Sequence, residues 1–372
     1  MKIFYLTELL SPYRVEWMNM LGEHNSVSAY YLKSEEQTRD SRWLNDVKPR
    51  FETKRVKRSS LSGSLPSRQF ISEVLSADYD VHIIDGYSSP IKLKLIRKLL
   101  KKGKKVYINI DGIDIWRPKS KSDIIKDRIK KRVYRSGAHF LCGSQIAADS
   151  IISGGADKER VFTHPFTSLH NSDLISFSQK RAEQPALKEK LGLSGKKLVL
   201  AVGRFIPLKR YDCLIKAWQN MPQDAVLYII GGGTEKENYQ TLIKQTGAQN
   251  ITLLDFMPPR QLNDYFRAAD LFVHTSETET WGLVFNEAMA NGCPVIATDR
   301  CVGAVELVRD GKEGFLTAVG DQDALNRCIN KILADDALRE QMTKNALERI
   351  KPYTYENQAA VHTAIFEKTS QR

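Results

Sequence analysis

Residues 271–297, LFVHTSETETWGLVFNEAMANGCPVIA, decide the fold of the C-terminal half of this chain. Leu271–His274 and Val295–Ala297 are short apolar runs of strand length, and Val284–Asn291 between them has the composition of a helix. A polar loop containing Gly282 connects the first strand to the helix. Because two strands joined through a helix are normally parallel neighbours, the stretch predicts one strand–helix–strand unit of a parallel sheet.

Strand and helix patterns alternate along the rest of the chain as well. Further strands are predicted at Lys2–Leu6, Val27–Leu32, Val81–Ile84, Val106–Ile110, His139–Cys142, Leu198–Val202, Val226–Ile230, Ile251–Leu254 and Gly314–Leu316. Further helices are predicted at 12–21, 91–102, 124–135, 211–219, 235–245 and 259–268. The alternation and a length of 372 residues predict an α/β protein with two facing Rossmann-like, doubly wound domains and a ligand cleft between them.

Changes in polarity along the chain suggest where the domains end. Residues 1–175 form the predicted N-terminal domain, and residues 197–350 form the predicted C-terminal domain. The polar stretch 176–196 lacks the alternating pattern and is predicted to be a linker. Apolar residues in 351–372 predict a final helix that packs back on the N-terminal domain.

The composition is typical of a water-soluble globular protein, with 42% hydrophobic and 27% charged residues. No stretch approaches the roughly 20 apolar residues that a membrane span needs, and the N-terminus indicates a strand rather than a signal peptide. The five cysteines are scattered and lack C-x-x-C spacing, which favours a reducing compartment over a disulfide framework or a zinc site. We therefore expect a cytoplasmic protein.

The net charge of +12 is concentrated in the N-terminal half of the chain. Residues 91–135 alone contain 17 basic and 4 acidic side chains. This surplus could be the solvated side of two helices, since Lys92 and Lys98 fall off the apolar faces, or a surface for nucleic acid, although no nucleic-acid motif accompanies it. We favour contact with an anionic membrane surface, so that the protein is peripheral on the inner face of the membrane. The lysines proposed for this contact are Lys98, Lys101, Lys102, Lys104 and Lys105.

Glu279 and Glu287 are the leading candidates for a functional site. Glu279 lies in the loop before the predicted helix and Glu287 lies inside it, while Gly282, Leu283 and Val284 span its start. The free N–H groups of a first helical turn attract anions such as a diphosphate. One carboxylate is then placed to meet a sugar and the other to accept hydrogen bonds from ribose. Alternatively, both are ordinary helix-start acids that stabilise the helix by roughly 0.3–1 kcal/mol each.

Three further motifs accompany this pair. Gly203, Arg204 and Lys209 follow a predicted strand, where two cations can offset the charge of a pyrophosphate or can simply be solvated. Gly232 belongs to a glycine turn after the next strand, which permits close backbone approach to a nucleotide or is only a loop. The third motif, LVRDGKEGFL, occupies 307–316.

Together these motifs resemble family 4 (group 1) retaining glycosyltransferases. The spacing of Glu279 and Glu287 is that of the family's E-x7-E motif, and Arg204 and Lys209 match its G-R-x(4)-K motif, although Arg210 stands where the family usually has glycine. The resemblance implies the GT-B fold, a nucleotide-sugar co-substrate, retention at the anomeric carbon and no metal cofactor. The D-x-D sequences at 78–80 and 321–323 fall at predicted turns or helix caps rather than in a metal site.

The N-terminal half offers weaker candidates. Asp111 follows a strand where relatives often place a catalytic histidine, but it could also be a turn-forming Asp-Gly. Tyr13 and Arg14 resemble the "PPYR" opening of family members from polysaccharide pathways and could contact acceptor or phosphate, or merely begin a capped helix after Ser11. His164 is interpreted as structural.

The sequence therefore predicts a glycosyltransferase that moves a sugar from a nucleotide diphosphate to a carbohydrate acceptor, with UDP as the expected nucleotide. A lipid-linked acceptor in capsule, exopolysaccharide or O-antigen assembly fits the resemblance, and nucleic acid is not an expected partner. Two alternatives stay open: a nucleotide-sugar epimerase or hydrolase on the same fold, and a basic membrane-binding scaffold with a vestigial site.

Overall fold

The computed structural model describes residues 1–32, 47–56, 68–116 and 123–371. The chain divides into two compact units. The N-terminal unit contains Met1–Thr167 and Thr354–Arg372, and the C-terminal unit contains Ser168–Tyr353. Each unit has its own parallel sheet flanked by helices, so the prediction of two Rossmann-like α/β domains is confirmed.

The sheet of the N-terminal unit has the strand order β3-β2-β1-β4-β5-β6-β7 in the described residues, and its strands are parallel. Its strands are β1 (Lys2–Thr7), β2 (Ser26–Tyr31), β3 (Glu52–Arg55), β4 (Val81–Asp85), β5 (Val106–Ile110), β6 (His139–Cys142) and β7 (Val161–Thr163). The chain leaves β1 in one direction and returns to its other side at β4. The topological switch point therefore lies between β1 and β4.

Helices cover both faces of this sheet. They are α1 (Pro12–Gly22), α2 (Arg68–Ser76), α3 (Pro90–Lys101), α4 (Asp123–Tyr134), α5 (Gln145–Ser153) and, from the end of the chain, α14 (Tyr355–Ser370). The alternation along β1 sends Phe4 and Leu6 into one buried cluster and Ile3 and Tyr5 into the other. Because both faces are covered, β1 is apolar from Ile3 to Leu6 and does not alternate with polar residues there.

The last helix belongs to the N-terminal unit and packs against α1. The Trp17 ring of α1 lies 4.8 Å from the His362 ring of α14. At the other end of α14, the Lys105 ammonium donates a hydrogen bond to the Thr369 carbonyl. The end of the chain is thus fastened to the first unit.

The sheet of the C-terminal unit has the strand order β10-β9-β8-β11-β12-β13 and is also parallel. Its strands are β8 (Lys197–Val202), β9 (Ala225–Ile230), β10 (Ile251–Leu254), β11 (Leu271–His274), β12 (Val295–Thr298) and β13 (Gly314–Thr317). Its helices are α6 (Phe177–Lys190), α7 (Tyr211–Ala217), α8 (Lys236–Thr246), α9 (Pro259–Ala268), α10 (Val284–Ala290), α11 (Val302–Leu307), α12 (Gln322–Ala334) and α13 (Asp336–Ile350). Here the switch point lies between β8 and β11.

The predicted linker at 176–196 is wrong in its central part. These residues form α6, which packs on α9 within the C-terminal unit, and the boundary between the units falls after Thr167. The buried Lys180 ammonium donates hydrogen bonds to the carbonyls of Phe266 at 3.0 Å and Ala269 at 2.8 Å. Because a charged side chain anchors this helix, its sequence shows little apolar periodicity.

The basic stretch also contains lysines that are not surface charges. Lys92 is only 1% exposed, and its ammonium donates to the Asp85 carbonyl at 2.5 Å, so the prediction that it is solvated is wrong. Lys105 is half-buried and bonded to α14, whereas Lys98, Lys101 and Lys102 are exposed. Only part of the predicted surface patch is therefore free to meet a partner.

Candidate functional site

The C-terminal ends of β8 and β11 carry the main group of predicted site residues. Gly203 and Arg204 follow β8, and His274 is the last residue of β11. Ligands of open α/β sheets bind beyond the carboxyl ends of the strands at the switch point, and β8 and β11 flank that point here. The topology therefore brings together residues that are about 70 positions apart in the sequence.

Lys209 and Glu279 form an ion pair at this position. The Lys209 ammonium donates a hydrogen bond to Oε2 of Glu279, and the two side chains are 11% and 23% exposed. Burial opposes ionisation of Glu279, but the His274 ring and the Lys209 charge outweigh it and lower the pKa of the carboxyl to about 2. The Glu279 carboxylate is consequently ionised at neutral pH.

The loop that carries Glu279 is held by the segment before α11. The Glu279 N–H donates to the Arg300 carbonyl at 3.1 Å, and the Val302 N–H donates to the Glu279 carbonyl at 3.0 Å. The Gly303 N–H donates to the Trp281 carbonyl at 3.1 Å, and a Cβ at Gly303 would collide with that oxygen. These backbone contacts fix the carboxylate, and nothing in the motifs pointed to them.

His274 is a site residue that the sequence analysis missed. Its Nε2 lies 2.8 Å from Oγ of Ser276 and 3.8 Å from Oε2 of Glu279. Burial lowers the pKa of His274 to about 4, so the ring is neutral at pH 7. In the sequence, His274 is only the last residue of a predicted strand and belongs to no motif. Its position beside Glu279 is visible only in the folded structure.

Arg204 is exposed, and within the described ranges its side chain has neither a hydrogen bond nor an ion pair. The neighbouring glycines allow two loops to touch, because a Cβ at Gly231 would collide with the Gly203 carbonyl. A Cβ at Gly232 would meet open space, so this glycine is not required by packing. In the described residues, the loop after β8 thus carries the paired Lys209 and the unpaired Arg204.

Glu287 lies in the first turns of α10 and does not join the ion pair. Its Oε1 accepts a hydrogen bond from Ser168 Oγ at 3.3 Å. Among the residues that the structure describes, Glu287 has no hydrogen bond or ion pair with Lys209 or Glu279. Burial raises the pKa of its carboxyl, and the Ser168 hydrogen bond opposes this rise.

The start of α10 is shaped by Gly282, whose φ of 89° lies in the left-handed region. A Cβ there would also crowd the Phe285 ring at 2.8 Å. Leu283 and Val284 follow at the helix start, where backbone N–H groups lack partners within the helix. This geometry leaves a glycine as the only residue that fits the turn without strain.

The backbone conformation at Arg210 explains why related proteins usually have glycine at this position. Its φ of 51° and ψ of 37° are left-handed, a conformation that costs an L-residue roughly 1–2 kcal/mol. Its guanidinium donates to Asp212 at 3.3 Å and to the Cys213 sulfur at 3.0 Å. The turn after Lys209 therefore keeps its geometry despite the arginine.

The acidic D-x-D sequences have structural partners. Asp80 accepts a hydrogen bond from the Lys2 N–H at 2.7 Å, and Asp321 caps α12 by accepting from the Ala324 N–H at 2.8 Å. In the described part of the chain, no group of three or more His, Cys, Asp or Glu side chains is arranged to hold a metal ion.

A second charged group lies at the switch point of the N-terminal unit. Nη2 of Arg14 lies 2.7 Å from Oδ2 of Asp85 and 2.6 Å from Oδ2 of Asp111. The Tyr13 hydroxyl donates to the same Asp111 oxygen at 3.3 Å, and Asn109 donates to the other one at 2.6 Å. The structure thus joins Tyr13, Arg14 and Asp111, which were three separate candidates, and adds Asp85.

His164 lies away from this group, against α14. Gln358 Nε2 and His164 Nδ1 are 3.2 Å apart, and the rings of His164 and His362 are 4.5 Å apart. Burial, together with the nearby His362, lowers the pKa of His164 well below its ordinary value. Ser11 precedes α1 as predicted, but its side chain makes no capping hydrogen bond.

Comparison with known proteins agrees with this arrangement. The family model described as "Glycosyl transferases group 1" matches residues 183–349. D-inositol 3-phosphate glycosyltransferase of Xylanimonas cellulosilytica is 30% identical over 61% of this chain and 55% of its own length. N-acetylgalactosamine-N,N'-diacetylbacillosaminyl-diphospho-undecaprenol 4-alpha-N-acetylgalactosaminyltransferase of Campylobacter jejuni is 31% identical over 50% of this chain and 49% of its own. The matches therefore span about half the length of these relatives.

The fold of the whole chain also has solved counterparts. The crystal structure of Anabaena HepE in complex with UDP superposes with a TM-score of 0.75 over 100% of both chains, at 20% identity. The glycosyltransferase WaaG of lipopolysaccharide biosynthesis superposes with a TM-score of 0.63 over 98% of this chain and 99% of its own, at 17% identity. Residues 183–349 therefore carry a group 1 (family 4) glycosyltransferase domain, and the whole chain has the GT-B fold of these solved structures.

Proposed function

We propose that this protein is a retaining glycosyltransferase that moves a sugar from a nucleotide diphosphate to a hydroxyl of a carbohydrate acceptor. One observation carries the proposal: the ion pair of Lys209 and Glu279 lies at the switch point of a group 1 domain, in the loops after β8 and β11, and Arg204 lies in the same loop as Lys209. Two cations near one ionised carboxylate match the needs of a diphosphate leaving group and a sugar. Family membership alone would not place these charges together.

Each residue at this position has a role in the proposal. Arg204 and Lys209 bind the diphosphate, and Lys209 exchanges part of its contact with Glu279 for phosphate oxygen. Gly203 and Gly232 let the backbone approach the nucleotide, and the first turn of α10, with Gly282, Leu283 and Val284, adds N–H groups. Glu287 accepts hydrogen bonds from ribose hydroxyls, and Glu279 from the transferred sugar.

In the proposed reaction the bond from the anomeric carbon to the diphosphate oxygen breaks. A bond from the same face to the acceptor oxygen forms, so configuration is retained. The acceptor hydroxyl gives its proton to the departing diphosphate oxygen. Charge accumulates on the diphosphate as the bond breaks, and the cations of Arg204 and Lys209 stabilise it there without a metal cofactor.

The donor and acceptor are proposed from relatives. HepE was crystallised with UDP, which supports UDP as the nucleotide here. The Campylobacter relative acts on a diphospho-undecaprenol compound, and a Rhizobium meliloti relative that is 30% identical over 41% of this chain belongs to lipopolysaccharide core biosynthesis. We accordingly propose a lipid-linked glycan as acceptor, in the assembly of capsule, exopolysaccharide or O-antigen.

A lipid-linked acceptor would bring the protein to the inner face of the cell membrane. No helix in the described ranges is long and apolar enough to cross a membrane. The exposed lysines of the basic patch, Lys98, Lys101 and Lys102, supply roughly 1 kcal/mol each of attraction to an anionic surface. Changing these three and Lys104 to Glu should abolish flotation with phosphatidylglycerol vesicles. The same change at four exposed lysines of the C-terminal unit, Lys196, Lys216, Lys244 and Lys312, should not.

The donor experiment combines calorimetry with product analysis. Nucleotide sugars are titrated into the protein, and Glu287→Ala is expected to weaken the binding of the best donor about 10- to 100-fold, the value of hydrogen bonds to a charged group. Glu237→Ala, an exposed glutamate on α8, is the matched control. Equal affinity in wild type and Glu287→Ala would eliminate the ribose contact. Conversion of the donor with no acceptor present would instead indicate an epimerase or hydrolase.

A further inference from the structure

The buried charges of the N-terminal unit form one connected group around Arg14. A single nitrogen, Nη2, contacts carboxylate oxygens of Asp85 and Asp111 at 2.7 and 2.6 Å. The side chains of Arg14, Asp85 and Asp111 are 16%, 9% and 18% exposed. The two carboxylate oxygens therefore lie within about 5 Å of each other in a site with little water, where burial and the neighbouring Asp85 charge raise the pKa of Asp111 and Arg14 opposes this rise.

The two carboxylates differ in their neighbours and in their exposure. Oδ2 of Asp85 accepts a hydrogen bond from the Thr7 hydroxyl at 2.9 Å, and its backbone carbonyl accepts one from the buried Lys92 ammonium. Asp111 has the larger exposed fraction and follows the end of β5, at the edge where ligands of such sheets bind. Asp111 is thus the more exposed of the two carboxylates.

We propose that Arg14 and Asp85 are positioning residues that set the charge and orientation of Asp111, the carboxylate through which the N-terminal unit accepts a hydrogen bond from an acceptor hydroxyl. The acceptor role rests on the proposed function. The guanidinium between the two carboxylates offsets their repulsion, and the hydrogen bonds from Tyr13 and Asn109 fix the direction in which Asp111 points. A sugar hydroxyl donates to a carboxylate more strongly than to a neutral group.

Other charged and titratable groups surround the group from each neighbouring element. Tyr5 of β1 and Tyr13 of α1 lie beside the carboxylates, and burial raises the pKa of Tyr5, so both phenols stay neutral near pH 7. Glu8 follows β1 and pairs with Lys92 of α3 at 3.4 Å. That pair cancels its own charge, which leaves Asp85, Asp111 and Arg14 to decide the protonation of the outer carboxylate.

The test measures the pKa of the Asp111 carboxyl in two single variants, which should shift it in opposite directions, and in the double variant. Arg14→Met is expected to raise the pKa of the Asp111 carboxyl by about one unit or more, and Asp85→Asn to lower it. The double variant, which loses one positive and one negative charge, is expected to return near the wild-type value. The pKa is read from carbon-13 NMR titration of labelled aspartate carboxyl groups, with Asp111→Asn identifying the signal. Arg50→Gln, an exposed arginine of the same unit, is the control.

The same variants are assayed for transfer across pH. On acidification, kcat/KM for the acceptor is expected to fall at a higher pH in Arg14→Met and at a lower pH in Asp85→Asn than in the wild type. Arg14→Lys keeps the positive charge and is expected to restore much of the wild-type pH profile. Shifts in the same direction, or none, would overturn the proposal, as would an unchanged kcat/KM in Asp111→Asn. Because the NMR titration needs no turnover, absence of transfer by the wild type would reject the proposed function without deciding the charge coupling.

Discussion

The switch points of the two units use charge in opposite ways. In the C-terminal unit, Lys209 pairs with Glu279, while Arg204 has no side-chain partner among the described residues, so this switch point can receive negative charge. In the N-terminal unit, Nη2 of Arg14 contacts both Asp85 and Asp111, and the more exposed of these groups is the Asp111 carboxylate. Two sheets of the same topology therefore differ in charge: the switch point of the C-terminal unit carries a cation, and that of the N-terminal unit carries a carboxylate. The difference lies in the side chains after the strands.

The largest expected effect is a loss of kcat/KM when either cation of the C-terminal unit, Lys209 or Arg204, is removed. Lys209→Met is expected to lower kcat/KM about 10²–10³-fold, because the variant loses a charge that stabilises the leaving diphosphate. Arg204→Met is expected to lower it about 10- to 100-fold. The two variants should also differ in melting temperature, since Lys209→Met leaves the Glu279 carboxylate without its partner while Arg204 is exposed.

Transfer kinetics and thermal melts of the two variants check this prediction. Lys312→Met, an exposed lysine of the same unit, serves as control. Equal losses of melting temperature in Lys209→Met and Arg204→Met would contradict the view that only Lys209 is paired in the folded protein.

The sequence predicted the C-terminal site better than the N-terminal one, for a physical reason. Gly203, Arg204 and Lys209 form one short motif, and Glu279 and Glu287 form another, so local spacing carries the information. Arg14, Asp85 and Asp111 lie on three different elements, and only the strand order brings them together. Patterns along the sequence do not reveal contacts between side chains on elements that are far apart in the chain.

Lys92 and Lys180 illustrate the same limit in the fold. Helical periodicity predicted a solvated Lys92, and Lys180 lay in a predicted linker, but both ammonium groups donate hydrogen bonds to buried carbonyl oxygens. The strands at β5, β6, β10 and β11 were predicted with their observed bounds, because a buried parallel strand is a continuous apolar run. Helix α6 was missed, since its burial depends on polar anchoring.

An intermediate effect should appear on acidification, first in the N-terminal unit. Burial lowers the pKa of His82, His139 and His362 from 6.5 to about 4, and all three belong to this unit. The unfolded chain therefore takes up protons first, and the free energy of unfolding falls as the pH drops from about 6.5 toward 4. In the C-terminal unit, His274 adds one such loss over the same pH range, because its pKa is also lowered to about 4. The pKa of Glu279 is lowered from 4.5 to about 2, so its contribution is lost only as the pH falls below about 4.5. Because three such histidines lie in the described part of the N-terminal unit, the larger loss is expected there.

Hydrogen exchange measured by mass spectrometry at pH 7.5, 6 and 5 reports the stability of each unit separately. Each buried histidine with these pKa values costs about 2 kcal/mol of stability at pH 5. His362→Asn keeps a side-chain N–H for the Gln358 carbonyl and should flatten the pH dependence of the N-terminal unit by about that amount. The exposed His24→Asn should leave it unchanged. Earlier opening of the C-terminal unit would reverse the comparison.

The smallest expected effect tests backbone geometry at the C-terminal switch point instead of charge. Arg210→Gly relieves a left-handed conformation worth roughly 1–2 kcal/mol, but glycine loses more backbone entropy on folding, by roughly 0.5–1 kcal/mol, and the contacts to Asp212 and Cys213 disappear. We expect a net gain in stability of about 0.5 kcal/mol, seen as a slightly higher melting temperature. Asn220, the other described non-glycine residue with positive φ, tolerates that conformation better, so Asn220→Gly should gain less. A drop in melting temperature for Arg210→Gly would mean that the arginine is kept for its side-chain contacts, and that charge shapes this turn as well as the site beside it.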